Sequence, residues 1–391
     1  MGLDNSPNLY IIRHMYIGRK VEETIKKSLF QGKIVILYGA RQVGKTTLVR
    51  KIADDINEPY GYLNCDELDV LSRFQNSDNS EALKQLIGSQ RLVVIDEAQR
   101  VKNIGLKLKL IVDNYPETQI IATGSSSFDL SNEISEPLTG RSFEFWLFPL
   151  SVGEISQNED KLSFERKLES LLVYGCYPEI YQLGSIEQKA QRIKYLASNY
   201  LYKDILKFNS IKNSEVVLKL LQALALQMGN EVSYNELAGL IGIGKQTVAK
   251  YIDLLEKAFV IFRLSPYSSN LRKELGKMRK IYFFDLGVRN AIINNQNPLN
   301  LRDDVGKLWE NFVIAEKYKR QLGPGFKTNY YFWRTYDQQE VDLVEAKGGN
   351  LFGWEIKWTG KGKNPPKAWI ENYKNSTWQI INRENFLEFL I

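Results

Sequence analysis

The chain contains few of the side chains that usually build zinc sites. Its 391 residues include two cysteines, Cys65 and Cys176, which lie far apart and form no CxxC pattern, and a single histidine, His14. Zinc centres need several cysteine or histidine ligands, so this composition excludes histidine-rich zinc chemistry. Any metal ion in this protein must therefore be held by oxygen ligands.

Long apolar segments and simple repeats are missing as well. No run of about 18 uncharged apolar residues occurs, which is the length that a membrane-spanning helix needs. The N-terminus lacks the apolar stretch of a secretion signal, and neither an internal repeat nor a low-complexity tract is visible. The sequence therefore predicts a cytoplasmic protein that does not cross a membrane.

Length, apolar content and charge set the broad class. A chain of 391 residues exceeds what one hydrophobic core usually supports, and 43 % apolar residues are enough to fill more than one core. The formal net charge of +6 permits nucleic-acid binding without requiring it. We therefore expect two or three globular domains.

A complete phosphate-binding loop stands near the N-terminus. Residues 33–52, KIVILYGARQVGKTTLVRKI, combine a β-branched run, the spacing Gly-x-x-x-x-Gly-Lys-Thr and a helical pattern. In such a loop backbone N–H groups wrap the phosphates, the lysine reaches the β and γ oxygens, and the threonine ligates Mg²⁺. The sequence thus predicts an ATP site in which Lys45 is also catalytic and Thr46 is also a metal ligand. The predicted nucleotide-binding residues are Gly39, Arg41, Gly44, Lys45, Thr46 and Thr47.

A second strand pattern supplies acidic partners for this loop. Residues 91–97, RLVVIDE, form a buried-strand run that ends in Asp96 and Glu97. We expect Asp96 to join the Mg²⁺ shell and Glu97 to orient the attacking water. Together with strand-like runs at 60–64 and 118–124, this pattern predicts an α/β domain, a doubly wound parallel sheet with the ligand at its carboxyl edge.

Further catalytic candidates follow the fourth strand-like run. Ser125 or Ser126 comes directly after TQIIATG and is placed to sense the γ-phosphate, although a plain Gly/Ser loop fits the letters equally well. Arg141, in EPLTGRSFEFW, is a candidate arginine finger that would act in cis or from a neighbouring subunit of a homo-oligomer. A surface ion pair is the alternative for Arg141.

Four motifs together carry a family resemblance. GARQVGKTTL, VVIDEAQR, IIATGSSS and LTGRSFEFWLFPLS occur in this order over residues 15–205. They resemble the ATPase module of the AAA-type ATPases of archaea and bacteria, a branch near the AAA+ and STAND families. The resemblance implies that the P-loop strand and the Walker-B strand flank the sensor strand, and that Glu97 is the catalytic base. We place the ATPase domain at residues 1–150 and a helical lid at residues 151–208.

The middle of the chain, residues 209–284, changes to a pattern of helices that ends in a strand. Ser233 and Glu236 match a capping box at the start of the helix NELAGLI. The order of elements resembles a winged helix-turn-helix, with a recognition helix at 245–256 and a wing that begins at 259–264. The resemblance implies contact with double-stranded DNA; packing against a neighbouring domain is the alternative. The side chains expected in a groove are Lys245, Gln246, Thr247 and Lys250, and those expected at phosphates are Arg263, Arg272, Lys273, Lys277, Arg279 and Lys280.

A hairpin is predicted near the C-terminus. Gly348 and Gly349 separate two alternating runs in residues 340–358, EVDLVEAKGGNLFGWEIKW, and a two-residue glycine loop between such runs is a hairpin signal. If Lys347 pairs with Asn350, the register of both strands follows.

This register brings two carboxylates face to face. Asp342 opposes Glu355, and like charges at that separation are destabilising unless a cation lies nearby. A divalent metal with oxygen ligands could supply that charge. The alternative is a solvated charged face on which Glu340 pairs with Lys357. The opposite, apolar face of the hairpin is predicted to contain Val341, Leu343, Trp354, Ile356 and Trp358.

The elements around the hairpin carry a second resemblance. A helix at 306–321, a strand at 329–335, the hairpin, a helix after Pro366 and a strand at 377–382 resemble the α/β core of PD-(D/E)XK restriction endonucleases, over residues 285–391. The resemblance implies a second Mg²⁺ or Mn²⁺ site and a lysine that helps to activate the attacking water. The metal ligands implied are Asp342, Glu355 and Glu310, and the lysine is Lys357.

These patterns lead to one hypothesis and one rival. The hypothesis is a Mg²⁺-dependent ATPase whose nucleotide state controls a DNA-binding winged helix and a nuclease-like C-terminal domain. The rival is a nucleotide-gated switch in which the C-terminal domain is a scaffold that cuts no phosphodiester. Both need ATP at the P-loop, so they differ in the role of the hairpin carboxylates.

Overall fold

The computed structural model describes residues 16–124, 137–206, 214–268, 279–321, 328–360 and 364–391. The sensor candidates Ser125 and Ser126 lie outside these ranges. The same holds for Arg272, Lys273 and Lys277 of the predicted phosphate-contacting set.

A five-stranded parallel sheet forms the N-terminal part of the protein. Its strands are β1 (Ile34–Tyr38), β2 (Tyr60–Asn64), β3 (Leu92–Asp96), β4 (Gln119–Gly124) and β5 (Ser142–Trp146). They lie in the order β2-β3-β4-β1-β5. Every residue of β1, β3 and β4 is buried, which explains why these strands are near-continuous apolar runs instead of alternating ones.

Strand β4, which contains the predicted sensor run, lies between β1 and β3. Ile121 pairs with Val35 on one side and with Val94 on the other. The implied arrangement, in which the P-loop strand and the Walker-B strand flank the sensor strand, is therefore confirmed. Because the strands are parallel, the P-loop after β1 and the acids at the end of β3 share one edge of the sheet.

Within the described ranges, five helices accompany this sheet. They are α1 (Glu22–Ser28), α2 (Lys45–Asp55), α3 (Leu68–Gln75), α4 (Ser80–Ile87) and α5 (Ile104–Asn114). Helix α2 begins at the P-loop lysine and buries Leu48, Val49 and Ile52, the spacing of one helix face. A short 3₁₀ turn, Ala98–Arg100, follows β3.

Residues 151–206 are almost entirely helical. They contain α6 (Val152–Ile155), α7 (Lys161–Tyr174), α8 (Pro178–Gln182) and α9 (Ile186–Leu206), with a 3₁₀ turn at Ser156–Asn158. Helix α6 begins with a capping box in which Ser151 and Glu154 bond each other's backbone N–H groups. The predicted helical content is present in residues 151–206, while the role of the 151–208 segment as a lid stays a prediction.

The middle segment combines helices with short antiparallel strands. Its elements are α10 (Ser214–Leu226), β6 (Glu231–Val232), α11 (Tyr234–Ile241), α12 (Lys245–Lys257), β7 (Ile261–Pro266) and β8 (Arg279–Phe283). Strand β8 pairs antiparallel with both β6 and β7. Ser233 caps α11 by accepting a hydrogen bond from the N–H of Glu236 at 3.4 Å. The helix predicted at 245–256 and the strand that follows it are therefore present.

The C-terminal segment contains the predicted succession of elements. They are α13 (Leu286–Ile292), α14 (Val305–Gln321), β9 (Asn329–Arg334), β10 (Glu340–Lys347), β11 (Asn350–Ile356), α15 (Lys367–Asn372), β12 (Ser376–Ile381) and α16 (Phe386–Leu390), with a 3₁₀ turn at Leu299–Leu301. Strands β9, β10 and β11 are antiparallel neighbours, and β12 returns parallel to β11.

The middle and C-terminal segments share one sheet. Strands β7 and β9 pair in parallel at Ser265–Tyr331 and Pro266–Phe332. This contact produces a seven-stranded sheet of order β12-β11-β10-β9-β7-β8-β6. The boundary predicted at residues 284 and 285 therefore divides a continuous sheet.

The predicted hairpin register is confirmed near the turn. Lys347 pairs with Asn350, and the ladder continues to Leu343 opposite Trp354. Gly348 and Gly349 have φ values of 59° and 80°, as a two-residue turn with two left-handed positions requires.

The ladder between β10 and β11 ends at Leu343, and on the other side of β10 a β-bulge interrupts its pairing with β9 between Val341 and Val344. One extra residue reverses the side-chain alternation. Val341 consequently packs with Trp369 in a small separate cluster, whereas Leu343 joins the main core. The predicted common face of Val341 and Leu343 does not form.

The main hydrophobic core is continuous from the parallel sheet to the last helix. It includes buried side chains of β1 and β3, of α7 and of α14, and it ends at Phe386 and Leu390 of α16. Within the described ranges, no helix combines the length and the apolar character needed to cross a membrane.

Candidate functional site

The phosphate-binding loop lies at the carboxyl end of β1. Gly39 is required there, because a Cβ at this position would lie 2.2 Å from the carbonyl oxygen of Leu147. The buried ammonium group of Lys45 donates to the carbonyl oxygens of Gly39 at 2.8 Å and of Ala40 at 3.0 Å. These contacts hold the side chain of Lys45 across the loop, where it is predicted to bind the phosphates of ATP.

Thr46 and Asp96 form the predicted magnesium end of the site. Thr46 Oγ1 donates to Asp96 Oδ2 at 2.8 Å, and Tyr62 donates to the same oxygen at 2.6 Å. Thr123 donates to the other carboxylate oxygen. Burial by itself would raise the pKa of Asp96, but the three hydrogen bonds outweigh it and hold that pKa below its usual value. A charged carboxylate next to a hydroxyl is a donor set that suits Mg²⁺.

Glu97 occupies a strained turn at the end of β3. Its φ of 54° is in the left-handed region, which is uncommon for a side chain of this size. Its N–H donates to Thr123 Oγ1 at 3.2 Å, and the amide of Gln99 donates to its carboxylate. Glu97 lines the same cavity as Lys45 and Thr46. A carboxylate held there can orient a water molecule.

A cavity of about 410 Å³ lies beside the loop. This volume is within the range of small-molecule sites. The loop, the end of β3, the segment before α1 and helix α8 all contribute to its wall. The lining residues are Tyr16, Ile17, Arg19, Arg41, Gln42, Val43, Gly44, Lys45, Thr46, Thr47, Asp66, Glu97, Leu150, Pro178, Glu179 and Gln182. The predicted nucleotide-binding residues after Gly39 therefore face one space.

Arg141 lies at the opposite edge of the parallel sheet. Its carbonyl accepts the N–H of Ile34 at the start of β1, whereas the loop follows Tyr38 at the far end. Five residues of strand separate the two edges by roughly 16 Å. The guanidinium Nε of Arg141 donates to Asp113 at 2.6 Å on the surface. Within one chain this geometry supports the surface ion pair, while an arginine finger supplied by a neighbouring subunit stays a prediction.

The C-terminal carboxylates surround a buried lysine. The side chain of Lys280 is 1 % exposed, and its Nζ lies 3.3 Å from Glu310 Oε1 and bonds Glu340 as well. Tyr282 donates to Glu310 at 2.7 Å, and Lys307 donates to the other oxygen at 3.2 Å. Burial would lower the pKa of Lys280, but the neighbouring carboxylates raise it overall, so the lysine stays charged.

This arrangement corrects two predictions. The sequence predicts Lys280 at DNA phosphates, yet its ammonium group is enclosed by acids of the C-terminal segment. Glu340 was placed opposite Lys357, yet it bonds Lys280 and lies 3.6 Å from Arg334. The physical reason is the same in both cases, since a buried ammonium group needs carboxylate partners and takes the nearest ones.

Asp342 lies next to this cluster in a different way from that predicted. Its Oδ2 accepts the backbone N–H of Ile356 at 2.8 Å, in place of a further ladder pair with β11. Burial, the charge of Glu310 and the charge of Glu355 together raise the pKa of Asp342 to about 7, against the opposing effect of Lys280. All three predicted ligands are therefore close enough to influence one another.

Glu355 and Lys357 form an ion pair of their own. Lys357 Nζ lies 2.6 Å from Glu355 Oε1, and the bond to this carboxylate outweighs burial and raises the pKa of Lys357. In the part of the chain that the structure describes, no group of three acidic, histidine or cysteine side chains is arranged to hold a metal ion. The second metal site accordingly remains a prediction.

The predicted DNA-facing side chains of α12 are partly accessible. Lys245, Gln246 and Lys250 are exposed, and Thr247 is half-buried. Arg263 is different, because its guanidinium binds Asp253 at 2.6 Å and Glu256 at 2.8 Å on the same helix. Two carboxylates therefore neutralise Arg263 in this structure, and its contact with phosphate stays a prediction.

The structural roles of two residues, Arg19 and Lys280, are not among the predictions made from the sequence. Arg19 precedes α1 and carries no motif signal, yet it binds the carbonyl oxygen of Val43 inside the phosphate-binding loop at 2.7 Å. Lys280 did carry a signal, because a lysine inside the apolar strand RKIYF has to find acidic partners.

Family models match three separate parts of the chain. Residues 31–156 match a model described as an AAA domain. Residues 165–299 and 305–377 match two models described as domains of unknown function, DUF8612 and DUF4143. The first match covers the loop, the Walker-B strand and the cavity wall that they form.

Relatives are known in bacteria and archaea. An uncharacterized protein of Mycobacterium tuberculosis is 28 % identical over 344 residues, which are 87 % of this chain and 74 % of that protein. An uncharacterized protein of Methanocaldococcus jannaschii is 25 % identical over 357 residues, 85 % of this chain and 77 % of that protein.

A solved structure supports the fold. The Walker-type ATPase of Pyrococcus abyssi superposes with a TM-score of 0.50 at 18 % identity, over 72 % of this chain and 97 % of that one. At this identity the likeness concerns the fold alone. The AAA-domain match and the loop geometry agree with this likeness, so residues 31–156 are similar to an AAA domain and have a P-loop fold.

Proposed function

We propose that this protein binds and hydrolyses ATP with Mg²⁺ in the cavity beside the phosphate-binding loop. The observation that carries the proposal is the convergence of Lys45, Thr46 and Glu97 on that cavity, with Asp96 bonded to Thr46 at 2.8 Å. These are the groups that hold phosphates, bind the metal and orient water in phosphoryl transfer.

Each group has a separate task. Backbone N–H groups at the start of α2 bind the phosphates, and Lys45 moves from its carbonyl partners to the β and γ oxygens. Thr46 and Asp96 hold Mg²⁺, which supplies charge stabilisation when bound. Glu97 positions the attacking water from its place on the cavity wall. The side-chain hydroxyl of Thr123 and that of Tyr62 keep Asp96 ionised for this purpose.

Removal of the loop lysine tests this proposal. Lys45→Ala should abolish ATP binding, measured by calorimetry, and should reduce Mg²⁺-dependent phosphate release at least a hundredfold. Lys51→Ala is the matched control, because this lysine lies on the same helix with 43 % of its side chain exposed. If Lys45→Ala binds and hydrolyses ATP like the parent, the site is elsewhere.

We further propose that the nucleotide state acts on a winged helix that binds double-stranded DNA. The order helix, short strand, two helices and antiparallel hairpin over residues 214–283 supports the winged-helix assignment. The exposed Lys245, Gln246 and Lys250 on α12 support contact with a groove.

For the C-terminal segment we favour a non-cleaving scaffold over a nuclease. Lys280 places a fixed positive charge among Glu310, Glu340 and Asp342. It neutralises the carboxylates that a metal ion would otherwise neutralise. A second cation of +2 charge would be repelled by this ammonium group. A nuclease-like fold can thus persist as a binding or coupling element.

Metal titration and DNA cleavage separate the two candidates. If the C-terminal segment is a non-cleaving scaffold, the Lys45→Ala variant, which lacks the ATP-linked metal, should bind no Mn²⁺. It should also leave supercoiled DNA intact. Mn²⁺ binding and nicking that both disappear in Asp342→Ala would instead establish the nuclease, and the scaffold assignment would then be wrong.

A further inference from the structure

Arg19 joins three parts of the protein, although it lies outside every recognised motif. Its side chain is buried, and each of its nitrogens has a partner. Nη1 donates to the carbonyl oxygen of Val43 at 2.7 Å, Nη2 to that of Phe148 at 2.6 Å, and Nε to Glu154 Oε1 at 3.0 Å. One guanidinium therefore holds the phosphate-binding loop, the segment after β5 and helix α6.

The bond to Val43 sets the orientation of a neighbouring N–H group. The peptide between Val43 and Gly44 is planar, so its C=O and N–H point in opposite directions. Fixing the carbonyl on Arg19 therefore fixes the N–H of Gly44, which belongs to the group that is predicted to bind phosphate. Arg19 also lines the nucleotide cavity, and its Nη1 lies 3.7 Å from the position that a Cβ on Gly44 would take.

From these contacts we infer that Arg19 is a positioning residue for the phosphate-binding loop and that it couples nucleotide binding to helix α14 of the C-terminal segment. The inference rests on the proposed ATP site.

Glu154, the partner of Arg19 on α6, also accepts hydrogen bonds from other groups. Glu154 Oε1 accepts from Arg19 and from the N–H of Lys20, both at 3.0 Å. Its other oxygen accepts the N–H and the hydroxyl of Ser151, the residue that caps α6. Burial alone would raise the pKa of Glu154, but Arg19 and these hydrogen bonds lower it. A shift of Arg19 therefore displaces a charged group that controls the start of α6.

Helix α14 is hydrogen-bonded to the start of helix α6. Val152, the first residue of α6, donates its N–H to Glu316 Oε2 of α14 at 2.7 Å. The other oxygen of Glu316 binds Lys319 at 2.8 Å, and both side chains are buried. Arg19, Glu154 and Glu316 also line one cavity of about 280 Å³, which leaves room for these groups to rearrange. The contacts thus run without a gap from the phosphate-binding loop to the C-terminal segment.

Paired substitution tests the positioning role without leaving a buried charge unmatched. Arg19→Met combined with Glu154→Gln should weaken binding of Mg²⁺–ATP at least tenfold by calorimetry. Arg19→Lys keeps the charge but cannot reach three acceptors, so it should fold normally and still weaken binding severalfold. Arg166→Met, at an exposed arginine of α7, is the control and should keep the parental affinity.

Hydrogen exchange tests the coupling. A non-hydrolysable ATP analogue with Mg²⁺ should change amide exchange in residues 305–321 of the parent and of Arg166→Met. Glu316→Met combined with Lys319→Met removes the acceptor for Val152 together with its buried partner. This variant should bind the analogue with an affinity within threefold of the parent, yet show no change in residues 305–321.

The outcomes separate this inference from the proposed function. If the parent does not bind ATP, both are wrong. If the parent binds ATP and both Arg19 variants bind it equally well, the positioning role is overturned while the ATP site stands. If exchange in residues 305–321 still responds after Glu316 and Lys319 are replaced, the coupling through α6 is overturned.

Discussion

Lys280 depends on acids that are distant in the sequence. Burial of an isolated ammonium group is unfavourable by several kcal/mol, and Glu310, Glu340 and Asp342 offset that penalty. Conversely, three carboxylates crowded into one place need a cation to remain ionised. The lysine and its acids therefore stabilise one another, and the loss of either side should be costly.

Substitution of Lys280 should consequently destabilise the protein strongly. Lys280→Met leaves buried carboxylates without their cation, and we expect the free energy of unfolding to fall by about 3–5 kcal/mol. Lys307→Met is the control, because Lys307 also binds Glu310 but has 41 % of its side chain exposed, and it should cost less than about 1 kcal/mol. Equal urea midpoints for the two variants would contradict this expectation.

Lys317 gives a prediction about pH. It is 9 % exposed, and burial, followed by the charge of Arg320, lowers its pKa to about 8. The unfolded chain, with a lysine pKa of about 10.4, then binds more protons between pH 8 and pH 10, so the free energy of unfolding should rise with pH across that window. Lys317→Met should remove this rise and stabilise the protein at pH 7 by up to about 3 kcal/mol.

The rings of Phe389 and Trp354 reduce that gain. Lys317 Nζ lies 3.7 Å from the centre of the first ring and 5.7 Å from that of the second, and both favour the charged form. Urea unfolding at pH 7.5 and pH 9.5 measures the effect, with the exposed Lys347→Met as control. A pH slope that is the same in the parent and in Lys317→Met would show that the lysine is not the source.

The role of a residue could be predicted from the sequence where a motif marks that residue. Lys45, Thr46 and Asp96 belong to motifs whose spacing alone fixes their geometry, and the structure brings them together as expected. Lys280 and Arg19 could not be assigned in this way, because no motif links them to their partners and only the tertiary fold supplies those partners.

At the level of elements, helix α12 carries the DNA prediction. Lys245→Ala combined with Lys250→Ala removes two positive charges from the predicted groove contact, so it should weaken binding of double-stranded DNA at least tenfold and should reduce the slope of log affinity against log salt. Lys219→Ala, on the exposed face of α10, should change neither quantity. Fluorescence anisotropy at several salt concentrations checks both, and unchanged binding would favour packing as the role of this helix.

At the scale of elements, the strands show which features can be predicted from the sequence and which cannot. The glycine pair and the alternation of residues 343–354 specify the hairpin register correctly. The bulge between Val341 and Val344 has no residue signature, because it depends on how β9 meets β10. The position of Arg141 was predictable in principle, since a residue that precedes a parallel strand lies at the edge away from the ligand.

At the scale of the whole molecule, the seven-stranded sheet predicts joint folding of the middle and C-terminal segments. Separate expression of residues 1–284 and 285–391 should give fragments without a cooperative thermal transition by circular dichroism. A cut removes the pairing of β7 with β9 and exposes the edges of both strands. Two fragments that each melt cooperatively would show that the shared sheet is not needed.

The short parallel contact of Ser265–Pro266 with Tyr331–Phe332 also constrains chimaeras between relatives. Exchange of the terminal segment alone would pair a strand end from one parent with a strand end from another. The smallest transplantable block therefore extends from residue 214 to residue 391, and a crossover that respects the sheet belongs between α9 and α10.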